Sequence, residues 1–401
     1  MKYGVGIDIS KGKSTVSILS EYGEVIEMPF EINHDNDELN HLKEILNKYP
    51  KENLKIVMEE TGTYHLPVLN YLLDNDFFVC ADNAFKIKKH LDHDIRKVKN
   101  DNKDSLKIAE YCCDNWYKIK KYCQTDEKYE QLKFLSRQYT AQMSVQIKEK
   151  VQLSNLCDLL FFGFYSLLDE NNFILGITVF KKYCSPELVL KKKKNSFINE
   201  VDKIAKKLGH RSAGITLANK IYELANKTVT PYPYNEYSQL SVDCCVDLLI
   251  LTINTTNNII TKMEELASTL PEYDTVRNME GCGDKLTPRI IAEIGDIRRF
   301  KNAGSIIAYG GLDAPPYQSG QFEATIRHIS KRGNKYLRKT GYEVMKSIKS
   351  SGKSGNELYD YISKKEEEGK AKKVAKIAGL NKFIRMYYGK VKDKYKELEI
   401  W

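Results

Sequence analysis

The sequence predicts an α/β domain followed by a mainly helical region, and three observations predict it. Residues 1–82 alternate short β-branched runs with segments of helical periodicity. Apolar residues then recur every three or four positions over two long stretches, and from residue 271 glycine turns separate short helices. At 401 residues the chain is long enough for two or three domains.

The first part of the chain has the element order β-β-β-α-β-α-β-α. Strands are expected over 3–9, 14–20, 24–32, 54–60 and 77–82, and helices over 35–49 and 64–75, with further helix to about residue 115. Asp35 or Asn36 is placed to cap the first helix. The short turns after the first two strands predict an antiparallel meander. This order is that of the ribonuclease-H-type fold, a mixed sheet flanked by helices.

Two long amphipathic helices are expected in the middle of the chain. The first, from about residue 125, places Leu132, Leu135, Tyr139, Met143, Ile147 and Val151 on one stripe, and the second, over about 239–267, does so with Val242, Val246, Leu249, Ile253 and Ile260. Such helices usually pair, either with each other or with another subunit. The lysine run at 191–194 between them reads as a solvated face, with phosphate contact as the alternative.

Four acidic residues stand where carboxylates can converge. Asp8 lies in the first strand and Glu59 at the end of the fourth, where ligands gather in such sheets. Asp101 and Asp104 are three apart at a helix start and so share one face. Oxygen ligands in this number suit Mg²⁺ or Mn²⁺ and the cutting or joining of nucleic-acid strands. The alternative is that the two helix acids only form a favourable first turn.

The basic charge of the chain points to nucleic acid as a partner. With 63 Lys plus Arg the net charge is +9, and 26 tyrosines add planar side chains. Residues 327–353 contain ten basic or imidazole side chains and only one acid, Glu343, a balance that predicts a phosphate-binding surface. The residues expected to contact nucleic-acid phosphates are Gly281 and Gly283 of a Gly-Cys-Gly turn, Arg327, His328, Lys331, Arg332, Lys335 and Arg338. The two glycines are interpreted as a helix-hairpin-helix-like turn that holds a DNA backbone, and a tight interhelical turn is the alternative.

Several classes of protein are disfavoured by composition. No apolar stretch is expected to reach the length of a membrane span, and the first residues read as a strand and not as a secretory leader. The nine cysteines are scattered without metal-ligand spacing, which favours reduced thiols and a cytoplasmic location.

Ordered motifs along the whole chain carry a family resemblance. Gly-Ile-Asp-Ile-Ser around Asp8, Glu-Glu-Thr-Gly at 59–62, the Asp101/Asp104 pair, the Gly-Cys-Gly turn with Ala-Glu-Ile-Gly-Asp after it, and Tyr-Gln-Ser-Gly with Ser-Lys-Arg-Gly-Asn occur in that order. The chain resembles the DEDD transposases of the insertion-sequence one-ten family, which are bridge-RNA-guided recombinases. The resemblance implies a RuvC-like domain over 1–120, a helical coiled-coil linker over 121–270 and a mainly helical transposase domain over 271–401.

The resemblance also implies an activity and its residues. The family's four acids fall on Asp8, Glu59, Asp101 and Asp104; Glu59 is preferred to Glu60 because the family's glutamate stands two before the threonine. The family's serine nucleophile falls on Ser319. The implied enzyme is a DNA transposase or recombinase of an insertion sequence. It would cut and rejoin DNA through a phosphoserine intermediate with Mg²⁺, as a dimer or tetramer guided by a structured RNA, with no membrane involved.

Three rival interpretations are open from the sequence. A Holliday-junction-type nuclease would use only the acids and water. An actin-like ATPase would repeat its phosphate-binding hairpin after residue 120, and no such repeat is present. A tyrosine-rich RNA-binding protein would carry the acids as structural residues.

Overall fold

A computed structural model describes residues 1–60, 63–82, 86–87, 100–122, 126–210, 212–315, 318–319, 322–323, 328–352 and 355–401. The chain divides into two compact units, Met1–Gln124 and Thr125–Trp401. The first is a mixed α/β unit and the second is mainly helical. The predicted fold class is confirmed at this level.

The first unit is built on a five-stranded mixed sheet. Its elements are β1 (Tyr3–Ile9), β2 (Lys13–Ser20), β3 (Val25–Asn33), α1 (Asn36–Leu46), a 3₁₀ turn (Lys51–Asn53), β4 (Leu54–Glu59), α2 (Leu66–Asp74), β5 (Val79–Asp82) and α3 (Asp101–Asp114). The strand order is β3-β2-β1-β4-β5. β1, β2 and β3 form the predicted antiparallel meander, and β4 and β5 run parallel to β1.

Alternation along the strands divides this sheet into two faces. Val5 and Ile7 of β1 share a hydrophobic core with Leu42 of α1 and Leu72 of α2. On the other face, Val57 of β4 packs with Ile108, Cys112 and other residues of α3. The sequence fixes the start of α1 locally, because the Asp35 carboxylate accepts a hydrogen bond from the Glu38 amide at 3.0 Å.

In the second unit, two long helices frame a smaller bundle. The elements up to residue 267 are α4 (Glu127–Leu160), a 3₁₀ turn (Phe164–Leu167), α5 (Phe173–Lys182), α6 (Pro186–Leu190), α7 (Lys194–Lys207), α8 (Ala213–Ala225) and α9 (Glu236–Ala267). The polar stretch between the long helices therefore folds into four helices. Their apolar residues, such as Phe180 and Phe197, form a core with Leu153 of α4 and Val246 of α9.

The long helices α4 and α9 pack against each other. Of the two pairings that the sequence left open, with each other or with another subunit, this is the first. The predicted stripe of α4 is only partly covered. Leu132 is fully buried, whereas Ile147 is 52% and Val151 is 58% exposed. Near its C-terminal end, α4 buries Leu153 and other apolar residues in the core of the smaller bundle. The coiled coil stays a prediction.

By length and composition α9 could cross a membrane, the one helix among the described residues of which this is true. The expectation that no apolar stretch reaches that length is corrected to this extent. A core helix passes the same test, and α9 buries Val242, Val246 and Leu249 in one core and Ile260 and Met263 in another.

The rest of the second unit packs around the last helix. Its elements are α10 (Tyr273–Arg277), α11 (Thr287–Ile294), a 3₁₀ turn (Ile297–Arg299), α12 (Ala303–Tyr309), β6 (Gln318–Ser319), β7 (Phe322–Glu323), α13 (Lys335–Ser351), α14 (Glu357–Glu367) and α15 (Lys372–Glu397). Phe383 and Tyr387 of α15 lie at 0% exposure in a core that also takes in Leu132 of α4 and Met263 of α9. The domain boundaries at 120 and 270 stay predictions.

Candidate functional site

Asp8 and Glu59 stand at the same level on neighbouring parallel strands. The pairing of β1 with β4 runs to Ile7 opposite Met58, and each acid is the next residue of its strand. Parallel neighbours lie about 4.8 Å apart, and residues in register point to the same face. Both acids are half-buried. The sheet therefore brings two acids, 51 positions apart in sequence, to one place at the carboxyl ends of their strands.

Helix α3 lies directly on the face of β1 that carries Asp8. A Cβ on Gly6 would be 2.2 Å from the backbone oxygen of Ser105 and 2.2 Å from the backbone nitrogen of Ala109. A Cβ on Gly4 would be 2.5 Å from the Cys113 sulfur and 2.9 Å from the Ala109 oxygen. Glycine is needed at both positions because no side chain fits between strand and helix.

The spacing of these contacts places the first turn of α3 beside Asp8. Gly4 lies against Ala109 and Cys113, whereas Gly6, two residues farther along β1, lies against Ser105 and Ala109, four residues earlier in the helix. Two strand residues and four helix residues span nearly equal lengths, about 6.6 and 6.0 Å. Continued to Asp8, the same step reaches residues 101–105, which include Asp101 and Asp104.

The two helix acids sit on a capped first turn. Asn100 caps α3 by accepting a hydrogen bond from the Asn102 amide at 3.1 Å. Asp101 is exposed and Asp104 half-buried. Asp101 also lies near the start of β2: the pKa of Lys13 is raised by its hydrogen bond to Glu31, with a smaller contribution from the Asp101 charge.

The four predicted acids thus occupy one end of the sheet, but they are not drawn into a ligand cluster. Within the described ranges no three His, Cys, Asp or Glu side chains are grouped closely enough to hold a metal ion. The donors are all carboxylates, the class that Mg²⁺ and Mn²⁺ prefer, and Asp8 and Glu59 are in register on neighbouring strands. Metal binding at Asp8, Glu59, Asp101 and Asp104 stays a prediction.

A fifth acid at this end, Asp82, was missed from the sequence. In the β4–β5 pairing Asp82 stands directly opposite Glu59. Its carboxylate accepts hydrogen bonds from the Tyr111 hydroxyl at 2.9 Å and from the Lys86 ammonium at 2.5 Å. Burial, followed by the hydrogen bond to Asp82, raises the pKa of Tyr111, so this hydroxyl stays protonated. An acid that ends a buried strand was the signal available in the sequence.

Ser319 lies in the second unit, in a short antiparallel pair of strands. It is the last residue of β6 and pairs with Phe322 of β7. Of the basic residues after it, Arg327 falls outside the described residues, and His328 is exposed. A nucleophilic role for Ser319 stays a prediction.

The predicted basic contacts divide into exposed side chains and one that serves the fold. Lys331, Arg332 and Lys335 are exposed, and Lys331 has the unusual φ of 53°. Arg338 is half-buried, and its guanidinium donates hydrogen bonds to the carbonyl oxygens of Gly310 at 2.7 Å and Gly333 at 3.2 Å. Binding of phosphate by any of these residues stays a prediction.

The two glycines of the Gly-Cys-Gly turn have different surroundings. Gly281 has a φ of +80°, and a Cβ there would be 2.6 Å from Ile348 of α13. A tight turn packed on a helix explains this glycine by itself. Gly283 is exposed and has open space where a Cβ would be. Helix α11, which starts at Thr287, is buried from end to end.

Glu293, in the Ala-Glu-Ile-Gly-Asp motif, was also missed as a key residue. Glu293 is only 1% exposed. Its carboxylate accepts hydrogen bonds from Ser136 at 2.7 Å and Asn334 at 2.9 Å and forms an ion pair with Arg137 at 3.1 Å. Asn334 in turn caps α13, accepting from the amides of Tyr336 and Leu337. Glu293 therefore fixes the loop that presents Lys331 and Arg332.

Comparison with known families agrees with the resemblance seen in the sequence. The model of the DEDD transposase domain of the IS110 family matches residues 5–162, and that of the IS116/IS110/IS902 transposase family matches residues 273–360. No curated protein matches the chain. The two matched segments together span more than half of the chain and include all four predicted acids and Ser319. The chain therefore belongs to the IS110 family of transposases and is an enzyme that acts on DNA.

Proposed function

We propose that the chain cuts and rejoins DNA strands with Asp8, Glu59, Asp101 and Asp104 as the metal-holding acids and Ser319 as the nucleophile. The observation that carries the metal site is the register of β1 and β4. It sets Asp8 level with Glu59 while the glycine-lined face of β1 brings the first turn of α3 alongside.

The serine step is a transesterification that keeps the bond energy of the DNA backbone. The Ser319 Oγ forms a bond to phosphorus while one phosphorus–oxygen bond to a deoxyribose breaks. The serine proton passes to a base, and the departing sugar oxygen takes up a proton. Attack of a sugar hydroxyl on the phosphoserine reverses these changes and joins a new pair of strands.

The role of the acids follows from charge. Four carboxylates near one another repel unless a cation lies between them. A divalent ion held by Asp8, Glu59, Asp101 and Asp104 would neutralise charge that develops on the phosphoryl and sugar oxygens. Their all-oxygen donor set favours Mg²⁺ or Mn²⁺ over softer ions.

We further propose that a structured RNA guides this reaction and that the working form is a dimer or tetramer. An RNA that pairs with DNA would carry the target and donor sequences, and the protein then needs only to hold backbones. The net charge of +9 and the exposed Lys331, Arg332 and Lys335 support such backbone contacts. RNA sequencing of the nucleic acid that copurifies with the chain tests this. Full recombination after RNase treatment and repurification would contradict RNA guidance.

The metal site is tested by single substitutions with a matched control. Asp8→Ala and Asp101→Ala are expected to abolish Mg²⁺-dependent strand cleavage. Asp37→Ala is the control, because Asp37 is an exposed acid in the first turn of α1, as Asp101 is in α3. Equal, mild effects of Asp37→Ala and Asp101→Ala would mean that Asp101 only favours its helix.

The nucleophile is tested by trapping the covalent intermediate. A DNA-linked protein band is expected on a denaturing gel for the parent and for Ser347→Ala, an exposed serine of α13, and none for Ser319→Ala. The nuclease alternative predicts instead that Ser319→Ala cuts DNA like the parent. An adduct that persists in Ser319→Ala would exclude this serine as the nucleophile.

A further inference from the structure

We propose that Asp82 and Tyr111 form a positioning pair that fixes the position of α3 along the strands of the sheet. This position in turn sets where Asp101 and Asp104 stand relative to Glu59. This inference rests on the proposed metal-dependent cleavage. The two residues are not assigned to bind the metal or DNA. Their hydrogen bond joins β5 to α3 at the acid-bearing end of the sheet.

The location of Asp82 suits this role. It pairs with Glu59 in the β4–β5 ladder, so the two carboxylates stand at the same level of the sheet. Any element tied to Asp82 is therefore held at a fixed height relative to Glu59. The Lys86 ammonium, 2.5 Å from the Asp82 carboxylate, offsets its charge and limits repulsion between the neighbouring acids.

The location of Tyr111 suits it as well. Tyr111 lies seven residues beyond Asp104 on α3 and is 3% exposed. Side chains of a helix lean toward its N-terminus, which in α3 is the end that carries Asp101 and Asp104. The tyrosine hydroxyl thus reaches back along the helix to Asp82 at 2.9 Å. A shift of α3 along its axis would break this bond.

Other contacts hold α3 close to the sheet. Gly4 and Gly6 let the helix approach β1 closely. The thiols of Cys112 and Cys113 donate to the carbonyl oxygens of Lys55 at 3.3 Å and Ser20 at 3.5 Å, and thiols are weak donors. A hydroxyl donating to a carboxylate is a charge-assisted hydrogen bond, which is the stronger kind. The Lys55 ammonium donates to the carbonyl oxygen of Trp116, just beyond the far end of α3, at 2.6 Å, whereas the Asp82–Tyr111 bond is a charge-assisted contact made by α3 itself at the acid-bearing end of the sheet.

Three substitutions separate a positioning role from a direct role of the charge. Tyr111→Phe removes the hydroxyl and leaves the Asp82 charge. Asp82→Asn removes the charge and leaves an oxygen that accepts from Tyr111, whereas Asp82→Ala removes both. Tyr71→Phe is the matched control, since it removes a tyrosine hydrogen bond, to Asn40 at 2.5 Å, among the helices on the opposite face.

The measurements are the Mg²⁺ concentration for half-maximal DNA cleavage and, without DNA, Mn²⁺ binding to the full chain by calorimetry. Tyr111→Phe and Asp82→Ala are expected to raise both constants about tenfold, the order expected for one lost hydrogen bond to a charged group. Asp82→Asn is expected to raise them only about threefold, because the neutral amide oxygen still accepts from Tyr111 but a charge-assisted hydrogen bond is roughly twice as strong. Tyr71→Phe is expected to stay within about twofold of the parent, a change of less than ~0.5 kcal/mol. If Tyr111→Phe fails to fold by circular dichroism, the contrast between Asp82→Asn and Asp82→Ala decides.

Two results would overturn the inference. Equal defects in Asp82→Asn and Asp82→Ala, with Tyr111→Phe at the parental constants, would show that the charge acts directly. Parental constants in all three variants would show that the pair has no role. Asp8→Ala, run in parallel, keeps the proposals apart: parental cleavage by Asp8→Ala contradicts the metal site itself, whereas an inactive Asp8→Ala beside an unaffected Tyr111→Phe contradicts only the positioning pair.

Discussion

Gly6 of β1 and Ala109 of α3 are in backbone contact: a Cβ on Gly6 would stand 2.2 Å from the Ala109 nitrogen and 2.9 Å from its Cα. Real Cβ atoms do not approach backbone atoms so closely. The glycine is therefore what allows α3 to lie against the strand that carries Asp8. Because this approach brings the first turn of α3 alongside the strand that carries Asp8, the contact links a packing requirement to the candidate active site.

Gly6→Ala is expected to destabilise the first unit by about 1–3 kcal/mol, the usual cost of overpacking, and to reduce cleavage. Urea unfolding followed by circular dichroism measures the first effect. Gly389→Ala is the control, since nothing lies within 4 Å of its added Cβ and alanine favours the helix there. Equal stability of Gly6→Ala and the parent would contradict the close approach of α3.

Replacing Lys331, Arg332 and Lys335 together by glutamine is expected to weaken DNA binding and its salt dependence. Each lost phosphate contact lowers the slope of log affinity against log salt by about 0.9. The control replaces three exposed lysines of the 191–194 run, Lys191, Lys193 and Lys194, which are expected to be solvated. If the control flattens the slope and the first variant does not, the DNA backbone lies on the other surface.

Glu293→Ala is expected to lower the free energy of unfolding of the second unit by about 3 kcal/mol. This is the low end for breaking a buried ion pair, because the Arg137 side chain is 28% exposed. Glu265→Ala, which breaks only the exposed pair with Lys262, is expected to stay within about 0.5 kcal/mol of the parent. Denaturant midpoints distinguish the two. If Glu293→Ala leaves the free energy of unfolding unchanged, the loop before α13 is held by other contacts.

The stability of the second unit is expected to depend on pH through Glu272. Burial raises the pKa of this carboxyl above its ordinary value of 4.5, and hydrogen bonds from Tyr129 and Tyr395 oppose the rise. The folded state then binds more protons than the unfolded state above pH 4.5, so this contribution to stability is complete below pH 4.5 and is lost as pH rises through the folded pKa.

Glu272→Gln removes that titration. Relative to the parent, the variant is expected to gain stability between pH 4 and pH 7, as measured by urea unfolding at both values. Tyr273→Phe serves as a control on the next residue, since its hydroxyl bonds the partly buried Glu264 at 3.2 Å. A stability difference between Glu272→Gln and the parent that is the same at both pH values would rule out a raised pKa.

Much of the fold could be predicted from local patterns. Strand alternation and helical periodicity located β1 to β5, α1, α2 and α9 within a few residues of their observed bounds, and also the start of α4. These features depend on neighbours within one or two turns of the chain. The four helices between α4 and α9 were not predicted, although the buried residues Phe197, Val201 and Ala205 of α7 recur every four positions in the sequence.

For the candidate site, the sequence by itself determined which chemical groups are present: the carboxylates of Asp8, Glu59, Asp101 and Asp104, the Ser319 hydroxyl and the basic side chains after it. It also determined that each acid lies in a strand or at a helix start. Only the tertiary structure decided that Asp8 and Glu59 share a register, that Asp82 joins them, and that Arg338 and Glu293 serve the fold. The physical reason is that strand register and helix docking depend on contacts between residues far apart in sequence, such as Gly6 with Ala109, which no local pattern encodes.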